Sequence, residues 1–391
     1  MELLSPAGGP EQLALAIHFG ADSVYLAGRR WGMRSRAANF DDEGLARAVA
    51  YAHRHGARVH VTVNTVMRDR DVDELPAFLR LLDDIGVDAV IAADLAAISL
   101  AREFAPHVAI HVSTQASVMS ARAAEEYARL GATRVVLGRE MTLSQIAELR
   151  RRVTDELELE CFAHGSMCMA YSGRCLLSAH LMGPGRSASD GSCAQPCRWA
   201  WRLGEERDPS VSATLESDGE ASYLLSSNDL CMIDHLGELR QAGVDCIKLE
   251  GRNKGAYYAA AVTNAYRHVL DGDPVLPWRD ELDLVSHRPY STGFYLGKPT
   301  QNPGRQDYAR DRRLVAVVEG CERREEGWLA TVRCRNRAEA GAKVDVLSPG
   351  EPVRSAVLGE ALVTNGQAYD VPFPFSVEPL DLLCAREDRG D

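Results

Sequence analysis

Four times along the chain an amphipathic stretch ends at a glycine, one or two turn residues follow, and a short apolar, mostly β-branched run begins. The four are Gly20-Ala-Asp-Ser-Val-Tyr-Leu26, Gly86-Val-Asp-Ala-Val-Ile91, Gly131-Ala-Thr-Arg-Val-Val-Leu137 and Gly243-Val-Asp-Cys-Ile-Lys-Leu249. Glycine suits the left-handed residue that closes a helix, and a short apolar run between turns suits a strand buried on both faces. These are helix-to-strand joints of a parallel sheet. Less regular cases extend the series to eight strands, near residues 2–7, 22–27, 58–64, 88–93, 108–113, 133–138, 157–163 and 245–250. Most neighbours leave room for one helix, as at Glu43 to His55 and Asp73 to Ile85, and eight such units close into a (β/α)8 TIM-like barrel. A doubly wound open sheet is the alternative, but no Gly-x-Gly-x-x-Gly follows the first strand to support it.

One interval breaks the rhythm. More than eighty residues separate the seventh strand from the eighth, and they hold half of the ten cysteines: Cys168, Cys175, Cys193, Cys197 and Cys231. Loops leaving the carboxyl ends of barrel strands build the active-site face, so this insertion, at about residues 164–232, is expected over the mouth. A short strand at Tyr223-Leu224-Leu225 is expected within it. The barrel then spans 1–270. Pro274, Pro277, Pro289, Pro299 and Pro303 punctuate a stretch without helical periodicity, read as a linker or wrapping segment over 271–313. From Leu314 to the end, alternating runs such as Leu314–Val318, Trp328–Val332, Lys343–Leu347 and Ala361–Val363 predict a small antiparallel β-barrel.

A net charge of −12 argues against generalised affinity for nucleic acid, though a local basic patch is compatible with it. Only Lys248, Lys254, Lys298 and Lys343 are lysines among 44 basic residues, so clusters of arginine carry little weight alone. The residues Met1 to Pro6 show no basic region followed by an apolar stretch, and the apolar run near Val90 is broken by Asp94. A soluble cytoplasmic protein with no membrane partner is expected. Cysteines in such a chain are kept reduced, so metal binding or simple burial must explain them.

The cysteine-rich segment reads Cys161-Phe-Ala-His164-Gly165-Ser-Met-Cys168-Met-Ala-Tyr171-Ser-Gly173-Arg174-Cys175, then Gly191-Ser-Cys193-Ala-Gln-Pro-Cys197-Arg198-Trp199, then Asn228-Asp229-Leu-Cys231. Thiolates are soft ligands suited to zinc or iron–sulfur clusters. Six residues separate Cys168 from Cys175 and three separate Cys193 from Cys197, which is not the tight knuckle spacing of structural zinc. Iron–sulfur, zinc and reduced buried thiols all remain open on spacing alone. Cys161 and Cys246 lie inside apolar strands, where cysteine acts as a small hydrophobe, and Cys321, Cys334 and Cys384 are read the same way.

Several polar residues follow strand ends and would face one mouth: Gln115, Arg139, Glu140, His164, Glu250 and Arg252. His164, Glu140 and Glu250 are the candidate proton-handling groups, although a histidine beside glycine is often a loop hydrogen-bonder. Arg139, Arg174 and Arg252, with Gln115, are the candidates for holding a carboxylate through arginine's bidentate fork, and an internal Arg–Glu lattice is the competing reading. Asn228 and Asp229 are read as helix caps. For RNA, Arg150-Arg151-Arg152 and the run Arg305, Tyr308, Arg310, Arg312, Arg313 could neutralise phosphates while the tyrosine stacks on a base; the second run is favoured because it sits at the interdomain junction.

The run Glu160–Ser178, together with Ser5-Pro6-Ala7-Gly8, His111-Val-Ser-Thr114-Gln115, Gly138-Arg139-Glu140, the Cys193 to Trp199 segment, Asn228-Asp229-Leu-Cys231 and Lys248-Leu-Glu250-Gly251-Arg252, resembles the collagenase-like peptidases, family thirty-two of the unassigned-mechanism (U) class. The likeness extends over nearly the whole chain, including Ser286-His287-Arg288-Pro289-Tyr290; Pro289 is a small departure. The resemblance implies a 4Fe-4S cluster on Cys168, Cys175, Cys193 and Cys231, with Cys197 as a reserve ligand. It implies oxygen-independent hydroxylation, and the chain's length points to the branch that forms 5-hydroxyuridine at the tRNA wobble position, with prephenate as hydroxyl donor and an electron donor as a further partner. Hydroxylation of ribosomal RNA or of quinone precursors belongs to other branches. A metal-dependent endopeptidase, as the family name suggests, is the rival, but no His-Glu-x-x-His or Gly-x-Ser-x-Gly is present. A non-catalytic RNA-binding protein with a structural cluster is the third reading.

Overall fold

The structure, a computed structural model, describes residues 1–34, 37–167, 175, 177–182, 186, 191–196, 228–297, 312–325 and 327–386. Seven strands, β1 (Glu2–Pro6), β2 (Ser23–Leu26), β3 (Arg58–Val63), β4 (Ala89–Ala92), β5 (Ala109–Val112), β6 (Ala132–Val136) and β7 (Glu158–Ser166), pair in parallel, each with the next. A short strand β8 (Asp229–Cys231) lies outside this series, and β9 (Cys246–Leu249) pairs in parallel with both β1 and β7. That double pairing closes an eight-stranded parallel barrel and excludes the open sheet.

All eight barrel strands fall where the sequence places them, four after the glycine-led joints and four at the less regular runs. The seventh runs on to Ser166, because its last residues gain a partner: β8 pairs antiparallel with it, His164 opposite Cys231. A two-residue strand β10 (Tyr290–Ser291) extends β8, and the carbonyl of Pro289 accepts from Asp229 N at 3.0 Å. Proline is tolerated there because the ladder uses its carbonyl and not the missing N–H. Asp229 is therefore a strand residue rather than a helix cap, its carboxylate accepting from Arg288 N at 3.2 Å. The expected strand at Tyr223–Leu225 and most of the cysteine-rich insertion lie outside the described residues.

The strands are buried on both faces, but the faces differ in chemistry. Outward residues such as Leu3, Val24, Leu26, Val61, Val90, Val135 and Leu159 pack on the surrounding helices. The bore holds a small apolar layer of Leu4, Tyr25, Ile91 and Cys246 over a layer of charge. Arg134 donates to Glu158 at 2.7 Å, to Glu2 at 2.6 Å and to Glu160 at 3.4 Å, while Lys248 donates to Glu160 at 3.0 Å. His60 and His111 stand edge to face at 4.7 Å beside them, and burial drives the His60 imidazole down to about 3. Charges survive in a barrel bore only when paired in this way.

The proline-punctuated stretch after the barrel is not wholly irregular. Residues Val275–Leu282 form a short helix packed on the long helix Ala256–Asp271, with Trp278 stacked on His268 at 4.0 Å. Beyond it, β11 (Arg312–Arg324), β12 (Gly327–Cys334), β13 (Lys343–Ser348), β14 (Glu351–Val357), β15 (Ala368–Phe373) and β16 (Leu382–Arg386) form an antiparallel sheet in the order β14-β13-β16-β11-β12-β15. It curls about one interior that includes Val315, Val332, Val346, Phe373 and Leu383. The run at Ala361–Val363 contributes a single bridge, Leu362 to Ala338. This unit touches the barrel through Val353 N donating to Glu281 at 3.1 Å and through an Arg335–Glu11 ion pair at 2.8 Å. No described helix is long and apolar enough to cross a membrane.

Arg134 is the keystone of the charged layer, so Arg134→Met should cost about 3–5 kcal/mol at neutral pH by leaving buried carboxylates unpaired. Burial alone would raise the Glu2 carboxyl, but Arg134 outweighs it and holds the group at about 2 instead of 4.5. A depressed acid stabilises the fold fully above its unfolded value and loses that contribution as pH falls through its folded value. The penalty of the substitution should therefore shrink as urea unfolding is repeated from pH 5 toward pH 2; a penalty under about 1 kcal/mol at pH 7 would contradict the lattice argument.

Candidate active site

Three glycines set how closely the loops at the mouth approach. A Cβ at Gly8 would stand 2.1 Å from the Arg252 carbonyl oxygen, one at Gly165 would stand 2.3 Å from that of Glu250, and one at Gly251 would meet the Tyr258 ring at 2.5 Å. Gly165 also has φ +107, a conformation that disfavours a side chain. The segment after β7 is thus pressed onto the segment after β9. Above them opens a cavity of about 870 Å³, walled by Gly8 to Gln12 after β1, Arg34 and Ala38 after β2, Gly191 and Cys193 to Gln195 from the insertion, Glu250 to Lys254 after β9, and Ser286. A narrower recess lined by Tyr25, Thr62, Asn64, Ser113, Gln115, Arg139, Phe162 and Lys248 leads down into the bore.

Glu250 is the hub. Its carboxylate accepts from Arg34 Nε at 3.2 Å and from the Tyr25 hydroxyl at 3.0 Å. Burial would raise its pKa, but the charges of Arg34, Arg139 and Arg252 together with the Tyr25 hydrogen bond hold it at about 2. Arg252 is almost wholly buried and donates to Thr62 Oγ1 at 3.0 Å; burial pulls its guanidinium down to about 10, still charged at neutral pH. Arg139 lies with its guanidinium 3.8 Å over the Phe162 ring, donates to the Ser166 carbonyl at 3.1 Å, and keeps a buried Nε without a hydrogen-bond partner among the described residues. At the floor, Lys248 is paired with Glu160 and lies 4.3 Å over the Tyr25 ring. Among the described residues lining the recess, three guanidiniums stand against the one carboxylate of Glu250 and leave it positive, the electrostatics of a pocket for a small anion.

The insertion brings sulfur to the same rim. Cys193 lines the large cavity, and its Sγ accepts from Gln195 N at 3.3 Å. Its loop is fixed by Ala194 N donating to the buried Ser178 hydroxyl at 2.8 Å and by Gly191, whose Cβ would lie 3.0 Å from Met33 Cα. Cys231 is buried on β8, and its Sγ accepts from Arg279 Nη1 at 3.6 Å. Cys175 is half-buried. N–H donors aimed at two of these sulfurs suit anionic thiolates or cluster-bound sulfur better than neutral thiols. Among the described residues no group of three or more His, Cys, Asp or Glu side chains is placed to hold a metal ion. Cys168, Cys197 and Arg174 lie outside the described residues.

The other candidates separate. Gln115, Arg139, Glu250 and Arg252 gather at the recess. His164 does not line it: the ring is buried among Tyr258, Tyr266 and Tyr290, and burial pushes its pKa down to about 3, which suits a neutral structural imidazole. Glu140 lies beside Gly138 and Met119, away from the lining of the recess. Arg312 is buried and paired with Asp345 at 2.6 Å, whereas Arg313 is partly exposed with only its Nε shown enclosed. Arg305, Tyr308 and Arg310 lie outside the described residues. Arg150 is bound to Asp245 at 3.4 Å, while Arg151 and Arg152 both pair with Glu148. Tyr25, Arg34, Thr62, Asn64 and Lys248 were not anticipated from sequence. For Thr62, Asn64 and Lys248 the signal was there: polar residues at alternate positions in apolar strands, as in His60-Val-Thr62-Val-Asn64 and Lys248-Leu-Glu250.

The family described as Peptidase family U32 matches residues 8–304. Among relatives, the chain is 35% identical over 359 residues to the Bacillus subtilis protein named tRNA hydroxylation protein P1, covering 89% of this chain and 83% of that one. It is 30% identical to tRNA hydroxylation protein P of Escherichia coli, over 100% of this chain and 97% of that one. It is also 33% identical to a Porphyromonas gingivalis protein named Collagenase, over 100% and 99% of the two chains.

Gly165 tests how the mouth is built. Gly165→Ala should lower stability by about 1–3 kcal/mol through overpacking, with added strain from the left-handed backbone. A thermal unfolding midpoint equal to that of the unsubstituted protein would mean that the two loops can move apart without cost.

Proposed function

Because this chain belongs to peptidase family U32, we propose that it is an oxygen-independent RNA hydroxylase that forms 5-hydroxyuridine at the wobble position of tRNA. The observation that carries the reading is the cationic recess below the rim that holds Cys193. Arg34, Arg139 and Arg252 exceed the charge of Glu250, and a small dicarboxylate such as prephenate would balance them. The names of the Bacillus subtilis and Escherichia coli relatives support the choice of tRNA as substrate.

Written for a donor D–OH, the reaction U–H + D–OH giving U–OH + D–H balances in atoms and electrons: the uracil C5–H bond and the donor C–O bond break, and the two electrons lost by the base pass to the donor. No dioxygen enters. The chain's own residues bind and orient. Arg139 and Arg252 are the forks for the donor's carboxylates, Arg34 is held by Glu250, and Gln115 offers an uncharged amide at the same recess. Glu250, ionised far below neutral pH, acts as an anchor for the arginines rather than as a proton donor. Buried and neutral, His164 supports the cysteine-bearing strand. A 4Fe-4S cluster held by Cys168, Cys175, Cys193 and Cys231 would supply a Lewis-acidic or one-electron centre beside the cavity, with an electron donor as partner in the second case. Zinc on the same thiolates would give a colourless, structural site.

Nucleoside analysis of tRNA from a strain lacking this gene should show loss of 5-hydroxyuridine and its derivatives; unchanged nucleosides sink the proposal. Gelatin cleavage by the purified protein, lost when Cys168 is replaced, would favour the endopeptidase reading instead. Arg252→Met should lower kcat/KM for the carboxylate donor on the order of 10- to 100-fold, the worth of one charge-assisted contact. If steady-state kinetics with varied donor show no change, Arg252 does not bind it.

A further inference from the structure

Besides the backbone N–H of Ile233, two described side chains bring polar atoms to the Cys231 sulfur, and they are not equivalent. Tyr266 Oη is 3.8 Å away, but its single proton goes to the Ala163 carbonyl at 2.8 Å, and its oxygen accepts from Met232 N at 3.0 Å. That leaves Arg279, whose Nη1 stands 3.6 Å from the sulfur, as the described side chain that donates to it, and it is the donor that carries charge. Arg279 is held in place from other directions: its Nε pairs with Asp234 at 3.4 Å and its guanidinium lies 5.2 Å over the Tyr290 ring. Fixing a cation beside a buried, neutral thiol gains little, whereas beside an anionic sulfur it is strongly favourable.

We propose that Arg279 is a positioning residue for a metal centre on Cys231, donating to the ligand sulfur and favouring the more negative, reduced state of that centre. The proposal rests on the reading of Cys231 as an iron–sulfur ligand. Hydrogen bonds and charge near cluster sulfurs set the reduction potential, and a fixed guanidinium raises it. Arg279→Gln should shift the one-electron reduction equilibrium about tenfold toward the oxidised form, or ~59 mV. Arg279→Lys keeps the charge and should stay within about threefold of the unsubstituted protein.

The experiment is a dye-mediated redox titration of the anaerobically purified full chain, followed by visible absorbance and electron paramagnetic resonance, with iron and sulfide counted per chain. A lowered potential in Arg279→Gln, largely restored in Arg279→Lys, is the expected result. Equal potentials and iron contents in all three proteins, with the cluster present, overturn the role of Arg279 and leave the cluster reading intact. A Lys variant shifted as far as the Gln variant overturns the charge argument, and it decides the question by itself should the Gln variant fail to fold. Unsubstituted protein without iron, or Cys231→Ser with full iron, defeats the underlying ligand assignment and the inference with it.

Discussion

The interior of this barrel depends on the pairing of Arg134 with Glu2, Glu158 and Glu160. A TIM-like bore is ordinarily filled by layers of branched apolar side chains. Here only Leu4, Tyr25, Ile91 and Cys246 form such a layer, and the space below is taken by charges that would be intolerable singly. Glu160 passes the pairing upward to Lys248, so the ammonium at the floor of the recess is fixed by a residue it shares with Arg134. The polar floor of the site and the stability of the barrel are therefore parts of one electrostatic arrangement, and a substitution in one is felt in the other.

That arrangement explains what was legible in the chain and what was hidden. Glycines at the helix ends marked the joints, and the strands between them were apolar enough to be located within a few residues. Their inward faces were harder to see. In Gly131-Ala-Thr-Arg-Val-Val-Leu137 nothing local marks the arginine as inward-facing, because a strand buried on both faces is expected to be apolar throughout unless the bore is known to be polar. Glu250, Arg139, Arg252 and Gln115 were found because strand ends point to the mouth in any barrel, whereas Arg34 follows its strand by eight residues on a loop and carries no local signature. The surroundings of His164 were hidden for a related reason: it pairs with Cys231, on a short strand formed where a segment from the far side of the insertion returns to β7.

The helix Val275–Leu282 was illegible for a different reason. Pro274 and Pro277 argue against a helix locally, and its stability comes instead from packing on Ala256–Asp271, with Trp278 buried against His268. Tertiary contact overrides propensity here. The consequence reaches Cys231, since a guanidinium that donates to its sulfur lies on this helix and not on any segment marked by cysteine or glycine.

The same helix has a second face. Two residues beyond Arg279, Glu281 accepts from Val353 N of β14, and burial pushes its carboxyl up to about 7. Arg279 and Glu281 lie within the same turn after the kink at Leu276, so the segment that faces the Cys231 sulfur also carries the contact with the antiparallel unit. The carboxyl titrates near 4.5 when unfolded and near 7 when folded, so keeping it buried costs progressively more as pH rises through that interval. The contact is retained at a residue that ionises with difficulty, and Asn264 on the adjoining helix, buried beside it, offers the carboxyl a hydrogen bond that offsets part of that cost.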